Sequence, residues 1–427
     1  MSNELESLIE LASRRGAADV EVYQITSESK PVFFEGNRLK QLESSQSVGT
    51  ALRLWQNNRP GLAVAYGKIE PELLVDKAIA LSQLNEPEII ELSPPRKAIY
   101  DLKGATASVA ELVELGNKAI ARLREVCPEL VCSAELESEH ETTTLINSRG
   151  LHCHYQESAL SYYLGAELVR GEDFLGIYDG EYSKNKLDLD SILVQIIQRL
   201  NWAEKNVDPP QGKIPVLFTA NAATLLWGTI SSALNGKRIK EQSSPWSNQQ
   251  QQLVISKKIS LFQQPDKQPY DCPFDDEGMV TQELNLIDKG IFNQFYCDRT
   301  IARELNIQPT GNGFRSGLDS YPNPSLVNLI VNSEDNNFSD LVARLNNGII
   351  IDQILGGGAD ISGDFSVNVD LGYRVENGEI VGRVKDTAIA GNVYQVLKQV
   401  IALGNDSVWS GSCFTPSIIV GGISVVG

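Results

Sequence analysis

Hydrophobic and polar residues follow two different periods in the first part of the chain. In MSNELESLIELASRRG (1–16), apolar residues recur at helical spacing and a glycine ends the pattern, which predicts an amphipathic helix. Short runs with strand character follow, namely DVEVYQIT, KPVFFEG, SVGTALRLW and GLAVAY. They predict a small curled antiparallel sheet. The helical spacing in PELLVDKAIALSQL (71–84) predicts a helix that covers one face of this sheet.

Two proline-containing segments divide the rest of the chain. NEPEIIELSPPRK (85–97) is acidic and is the first candidate linker, and DPPQGK (208–213) is the second. Between them, the pattern predicts a long helix in SVAELVELGNKAIARLREV, several strands, and another helix over 187–205. Beyond them, short strands alternate with turns rich in Gly and Asn, and few helices are predicted.

We therefore predict an α+β fold with three domains. The first two are α/β modules over residues 1–97 and 98–210, and the third is a large, mostly antiparallel β-rich domain over 211–427. An apolar fraction of 42% in 427 residues is ample for hydrophobic cores of this size.

The net charge restricts the partners that the chain can bind. There are 55 acidic and 37 basic residues, which give a formal charge of −18, so direct binding to DNA or RNA is not expected. No signal peptide is predicted, and no apolar run reaches the roughly 18 residues of a membrane span. The six cysteines show no C-x-x-C spacing, which indicates reduced thiols and a cytoplasmic protein.

All three histidines lie in HETTTLINSRGLHCHYQ (140–156). An H-E-x-x-H zinc helix is incomplete because Thr144 stands where the second histidine belongs. The β-branched threonines and the turn residues NSRG instead predict a hairpin, with His152 and His154 on one strand face. His140 then lies about 10 Å from the position opposite His154, so three ligands do not converge. We interpret the histidines as a polar hairpin face; a weak two-histidine site shared with another chain is the alternative.

Two other clusters could bind a ligand. ILGGGADISGDF contains four glycines near acids, but it lacks the Lys-Ser/Thr pair of a phosphate-binding loop, so tight turns are predicted. PFDDEG (273–278) gathers Asp275, Asp276 and Glu277, which are weak candidates for binding a hard cation. The alternating ligand spacing of an EF-hand is absent, so we predict a solvated turn. No histidine is placed to activate a serine nucleophile.

Four stretches together resemble a known family. They are PFDDEGMVTQELNLIDKGIFNQFYCDRTIARELNIQPTGNG, SGDFSVNVDLGYRVENGEIVGRVKDTAIAGNV, IALGND and, earlier in the chain, NSRGLHCHY. They resemble the TldD/PmbA family of peptidases, also called modulators of DNA gyrase. The resemblance implies two paralogous subunits. A catalytic subunit holds zinc with a helical H-E-x-x-x-H motif and a late cysteine, and a second subunit, PmbA or TldE, lacks these ligands.

The resemblance places the zinc motif on a helix predicted in NAATLLWGTISSALNG. Laid on LLWGTISS, the motif puts Trp227 and Ser232 at the two histidine positions and Gly228 at the glutamate. An indole N–H cannot ligate zinc, a serine is a poor ligand, and a glycine offers no carboxylate to activate a water. The resemblance therefore implies no catalytic residue and no metal site in this chain.

The same resemblance indicates the ends of that helix and the late cysteine. Thr219 or Asn221 can cap the helix and Gly236 can end it. Cys413 in WSGSCFTP lies near the metal cysteine of the family, but one thiol does not make a zinc site. We interpret Cys413 as a buried cysteine.

The function implied is that of a PmbA/TldE-like, non-catalytic subunit of a cytoplasmic heteromeric metallopeptidase. Its partner would be a TldD-like catalytic paralogue that carries the zinc, and its substrates would be unfolded proteins or peptides. This chain itself is expected to need no cofactor. One alternative is a stand-alone homodimeric binding or regulatory protein of the gyrase-modulator type. Another is an active peptidase with a different metal site, for which PFDDEG is the candidate.

Overall fold

The structure is a computed structural model that describes residues 2–427. The predicted first helix is confirmed over Ser2–Arg14, and Met1 of that prediction lies outside the described residues. No helix within 2–427 is long and apolar enough to cross a membrane. The helices are α1 (Ser2–Arg14), α2 (Pro71–Ser82), α3 (Val109–Val126), α4 (Leu189–Trp202), α5 (Ala220–Ala233), α6 (Gly236–Lys240), α7 (Arg299–Leu305), α8 (Phe338–Leu345) and α9 (Val393–Val396).

The first part of the chain forms one eight-stranded sheet, here called the N-terminal sheet. Its strands are β1 (Asp19–Glu35), β2 (Arg38–Leu42), β3 (Ser45–Gln56), β4 (Arg59–Tyr66), β5 (Arg96–Leu102), β6 (Val131–Asn147), β7 (Leu151–Arg170) and β8 (Asp173–Ser183). The order is β4-β3-β1-β6-β7-β5, with β2 beside β1 and β8 beside β7. The pairs are antiparallel except β5 with β7, so the predicted antiparallel sheet is confirmed.

This sheet joins strands that the sequence assigned to two modules. β1 pairs along most of its length with β6, and the predicted boundary at residue 97 falls inside β5. Local patterns do not reveal such pairings because they join residues far apart in the sequence. The division into three domains stays a prediction.

Helices cover the N-terminal sheet because each presents an apolar face. α1 and α2 pack on β1, β3 and β4, where Leu8 and Val75 belong to one buried cluster. α3 begins with a capping box, in which Ser108 and Glu111 each bond to the backbone of the other. Its buried face, which includes Leu123, joins α4 in a second cluster. The helices predicted at these positions are confirmed.

The acidic segment over 85–97, predicted as a linker, is instead held against the protein by hydrogen bonds. Its Glu88 accepts the indole N–H of Trp55 at 2.7 Å. The carbonyl oxygen of Ser93 accepts a side-chain N–H of Asn147 at 2.9 Å, and the Ser93 side chain is buried. These bonds hold the segment against the N-terminal sheet, which the acidic, proline-rich composition did not indicate.

The remaining chain is rich in strands, as predicted. The strands are β9 (Asn206–Val207), β10 (Gly212–Phe218), β11 (Leu261–Gln263), β12 (Leu284–Asp288), β13 (Ile291–Phe292), β14 (Gly313–Phe314), β15 (Asn323–Pro324), β16 (Leu329–Val331), β17 (Gly348–Leu355), β18 (Asp364–Glu376), β19 (Glu379–Val384), β20 (Ala388–Asn392), β21 (Val400–Leu403), β22 (Val408–Ser410), β23 (Cys413–Thr415) and β24 (Ile418–Val426). They form an eight-stranded sheet, β17-β10-β24-β20-β18-β19-β9 with β21 beside β24, a six-stranded sheet, β13-β12-β11-β16-β23-β22, and the pair β14-β15. Most pairs are antiparallel, which confirms the predicted β-rich region.

The helix α5 lies where the two larger C-terminal sheets meet. It contacts β10 and β17 of one sheet and β22 and β23 of the other. Thr219 is its N-cap residue, although the threonine side chain makes no capping hydrogen bond. The predicted end at Gly236 is wrong, because α5 ends before Leu234 and Gly236 begins α6 behind its own N-cap, Asn235. Contacts with both C-terminal sheets therefore hold α5 in position.

Candidate functional site

A cleft with a volume of about 1590 Å³ lies beside α5. Its lining includes residues of β8, α4 and α5, the end of β17 and the segment 406–411. Gly356 and Gly357 line it too, with left-handed φ angles of +60° and +76°, so the predicted tight turn is confirmed. We call this cavity the cleft.

A smaller pocket of about 290 Å³ adjoins the cleft. The two cavities share Thr224 and Gly228, which lie four residues apart and therefore on one face of α5. Trp227 and Cys413 also line the smaller pocket. The structure thus brings together three of the positions that the resemblance assigned to the zinc site.

The side chain of Trp227 packs in the protein core beside this pocket. It is 1% exposed, and its indole N–H donates to the Thr415 hydroxyl at 2.7 Å. Ser232 lines neither cavity. Ser232 lies five positions after Trp227, which turns their side chains about 140° apart on a regular helix. The two positions therefore do not converge on one point.

The remaining positions supply no ligand set for zinc. An ideal Cβ at Gly228 would meet no heavy atom within 4 Å, so there is space for a side chain but no carboxylate. Cys413 is partly buried, and burial raises the pKa of its thiol to about 12, but one thiol alone does not make a zinc site. Residues 2–427 contain no group of three or more His, Cys, Asp or Glu side chains that could hold a metal ion. These residues do not fit zinc.

The PFDDEG segment is not the solvated turn that the sequence predicted. Asp275 is fully buried, and its two carboxylate oxygens accept backbone N–H bonds from Glu277, Met279 and Gly313 at 2.8 to 3.0 Å. Glu277 is buried too and accepts the backbone N–H of Arg299 at 3.0 Å. The prediction failed because the donors that compensate burial come partly from distant parts of the chain.

The surroundings of this segment indicate a structural joint. Arg315 follows β14 and pairs with Glu21 of β1 at 2.8 Å, and Arg53 of β3 pairs with the same carboxylate at 2.9 Å. Asp276 accepts the backbone N–H of Arg315 at 2.7 Å. Burial raises the pKa of Asp275 above its usual range. Asp276 and Glu21 both hold Arg315 and so fasten the C-terminal region to the N-terminal sheet, while backbone N–H groups already bond to both oxygens of Asp275.

The histidines lie on the predicted hairpin, formed by β6 and β7. His140 is opposite Ser158 and shares a hydrogen bond of 2.9 Å with its hydroxyl. His154 is opposite Thr144 and shares a 2.9 Å bond with that hydroxyl. Thr144 lies four positions after His140, about 13 Å along a strand, so the imidazoles of His140 and His154 cannot share a metal.

The sequence did not predict the aromatic walls of the cleft. Tyr163 and Tyr178 stack with ring centroids 6.0 Å apart and planes at 6°. Tyr270 stacks on Tyr182 at 5.4 Å and lies 4.9 Å from Trp409. The runs SALSYYLGAELV and FLGIYDGEYS carry most of these tyrosines, but only the pairing of β7 with β8 brings them together.

The cleft also contains a buried charge cluster. Arg199 of α4 lies between Asp179 of β8, at 2.9 Å, and Asp352 of β17, at 3.4 Å. Burial raises the pKa of Asp352, and Arg199 opposes this rise. The cluster orients α4 against both eight-stranded sheets, which the sequence alone did not indicate.

The fold and the cleft can now be compared with known proteins. Residues 211–427 match the PmbA/TldA metallopeptidase C-terminal domain, and residues 20–82 match PmbA/TldA metallopeptidase domain 1. The fold is thus one that occurs in a class of metallopeptidases. Because the first match covers half of the chain, this chain belongs to the PmbA/TldA metallopeptidase family, and the resemblance seen in the sequence is confirmed.

Relatives and solved structures agree with this assignment. The chain is 22% identical to a metalloprotease PmbA homolog of Haemophilus influenzae, over 98% of this chain and 94% of that protein. It is also 22% identical to a metalloprotease of Methanothermobacter thermautotrophicus, over 93% and 90%.

The crystal structure of TldE from Thermococcus kodakarensis superposes with a TM-score of 0.91 at 24% identity, covering 99% of this chain and all of TldE. A Thermotoga maritima protein, described as a candidate modulator of a DNA gyrase, gives a TM-score of 0.88 at 22% identity over the full length of both chains. These likenesses confirm the fold.

Proposed function

We propose that this chain is the PmbA/TldE-like, non-catalytic subunit of a heteromeric zinc metallopeptidase that acts on unfolded proteins or peptides. The observation that supports this most is the position of the Trp227 side chain in the protein core. Its buried indole is bonded to Thr415 at the place where the resemblance expects a zinc-binding histidine. Gly228 offers no general base beside it. Metal and base are therefore assigned to a TldD-like partner.

A paralogous partner is consistent with the relatives of the chain. Haemophilus influenzae has both a metalloprotease PmbA homolog and a metalloprotease TldD homolog that are similar to this chain. In the proposed complex, this chain supplies one wall of a substrate chamber through its cleft. Extended substrates could add to exposed strand edges. We place the complex in the cytoplasm, in keeping with the unpaired cysteines.

Mixing the purified chain with a TldD-like protein from the same cell tests this proposal. We expect no peptide hydrolysis by this chain alone and chelator-sensitive hydrolysis by the mixture above the level of the partner alone. The cysteine variant Cys413→Ala serves as a control and should leave the activity of the mixture unchanged. Chelator-sensitive turnover by this chain alone at high purity would refute the proposal.

The alternative is a stand-alone homodimeric binding or regulatory protein of the gyrase-modulator type. The observation that favours it is the cleft of about 1590 Å³, because a cleft of this size can bind a ligand without a metal ion in this chain. The formal charge of −18 disfavours contact with DNA but not with a protein. If neither the chain nor the mixture cleaves a peptide, and the chain alone is a dimer in solution, this alternative becomes the leading one.

A further inference from the structure

We propose that the cleft selects extended peptide segments that carry lysine or arginine side chains, and that Tyr163, Tyr178 and Asp370 form a subsite for one such cation. The peptide nature of the ligand rests on the proposed function. The preference for positive charge rests on the cleft itself, on its charges and its aromatic rings.

The charge of the cleft is strongly negative. In the described part of the chain, the lining contains a single cationic side chain, Arg199, and this guanidinium already pairs with Asp179 and Asp352. The carboxylates of the lining are Asp179, Glu181, Asp188, Asp352, Asp370 and Asp406. The other four carboxylates have no cationic partner among the described lining residues, so the electrostatic potential in the cleft is negative. The low-dielectric protein walls strengthen this potential at a bound peptide.

The rings of the proposed subsite are held in place by glycines. Tyr178 lies over Gly165 and Gly176, since an ideal Cβ at these glycines would approach its ring atoms to 3.1 and 2.8 Å. Tyr163 lies over Gly180, where a Cβ would approach its ring to 3.2 Å. Small residues at these three positions let the stacked pair rest on the strand backbones. The pair is thus preorganised, and Tyr163 is still 48% exposed.

Carboxylates lie near the two rings. Burial, with Asp179, Asp370 and Glu167 nearby, raises the pKa of Tyr163. The hydroxyl of Tyr178 donates to Glu167 at 2.8 Å. A ring face beside carboxylates attracts a cation through its quadrupole and through direct charge interaction.

The chain itself shows this chemistry at the edge of the cleft, where a lysine outside the lining reaches a lining ring. Lys267 places its Nζ atom 4.2 Å from the ring centroid of Phe414, which is a lining residue. Among residues 2–427, the cation–π contacts do not involve Tyr163 or Tyr178. Both tyrosines line the cleft and Tyr163 is 48% exposed, so a cation from a ligand can reach the stacked pair.

The size of the cleft favours a chain over a small cation. Sites for small molecules have volumes of about 300 to 1000 Å³, and the cleft measures about 1590 Å³. Several tyrosines and Trp409 along its walls could contact successive residues of an extended segment. Such a segment fills more of the cleft than a free amine or polyamine does.

Fluorescence anisotropy with labelled peptides tests the proposal on the full-length chain alone. The probes are unstructured Gly-Ser peptides of equal length with lysine, glutamine or glutamate at every third position. The variants are Tyr163→Leu, which removes the ring but keeps an apolar side chain, and Asp370→Asn. The matched control is Asp288→Asn, because Asp288 is exposed and lies outside the lining of the cleft. Circular dichroism confirms that each variant is folded.

We expect the lysine peptide to bind more tightly than the glutamine peptide and the glutamate peptide to bind least, with affinity falling as salt rises. Tyr163→Leu and Asp370→Asn should each weaken binding of the lysine peptide by about three- to tenfold, and Asp288→Asn should not. Spermidine should compete only weakly. Equal affinity for the three peptides, no binding of any, or equal effects of Asp370→Asn and Asp288→Asn would overturn the inference.

The peptide-binding experiment and the cleavage experiment can fail independently of each other. Cleavage by the mixture without a charge preference in the cleft would overturn this inference alone. A charge preference without cleavage by the mixture would overturn the peptidase proposal and keep the cleft as a binding site.

Discussion

Replacing Trp227 by alanine should cost stability, because the indole now serves the core. The side chain is 1% exposed and fills space between α5 and β23, where its N–H bonds to Thr415 at 2.7 Å. Truncation of such a side chain costs about 3 to 5 kcal/mol in lost burial and cavity formation. Trp227→Phe keeps most of the ring and loses the hydrogen bond, which should cost about 1 to 2 kcal/mol.

Urea unfolding, followed by circular dichroism, measures both changes as shifts of the transition midpoint relative to wild type. Gly228→Ala is the paired control on the same helix. An ideal Cβ there meets no heavy atom within 4 Å, and alanine is the better helix former, so we expect a gain of about 0.5 to 1 kcal/mol. Equal midpoints for wild type and Trp227→Ala, or a clear loss of stability in Gly228→Ala, would refute the reasoning.

The remaining predictions concern the N-terminal sheet. Replacing His140, His152 and His154 together by glutamine should cost about 0.5 kcal/mol or less per site and leave the activity of the complex intact; a folded, assembled but inactive triple variant would restore a histidine metal site. Burial, and then Glu157, raise the pKa of Glu141 from 4.5 to about 7. The folded state therefore keeps the proton to higher pH than the unfolded state, and stability should fall as pH rises from about 4.5 to about 7. Glu141→Gln should weaken that fall and be more stable than wild type at pH 8 by about 1 to 3 kcal/mol in urea titrations; a pH profile identical to that of wild type would contradict this.

Features that depend on neighbouring residues could be predicted from the sequence. The hairpin that carries the histidines was predictable because β-branched residues and the turn NSRG act locally. The capping of α3 by Ser108 and Glu111 is local as well. Helix α5 followed from the family resemblance, but its end did not, because Asn235 caps the next helix.

Features built from distant residues could not be predicted in this way. Asp275 looked solvated because its backbone donor on Gly313 comes from a remote strand. The stack of Tyr163 on Tyr178 needs the register of β7 with β8, and the Tyr270 contact to Trp409 needs a loop to meet strand β22. The family resemblance located the position of Trp227, but only the structure shows what the indole does there.

We propose that a core tryptophan occupies the metal position of the family motif in this chain, and that a partner holds the zinc. The most direct test is elemental analysis of each chain after the complex has been purified, dialysed and separated. We predict almost no zinc in this chain and about one zinc per copy of the TldD-like partner. About one zinc per copy of this chain, retained after dialysis of the chain alone, would contradict the account.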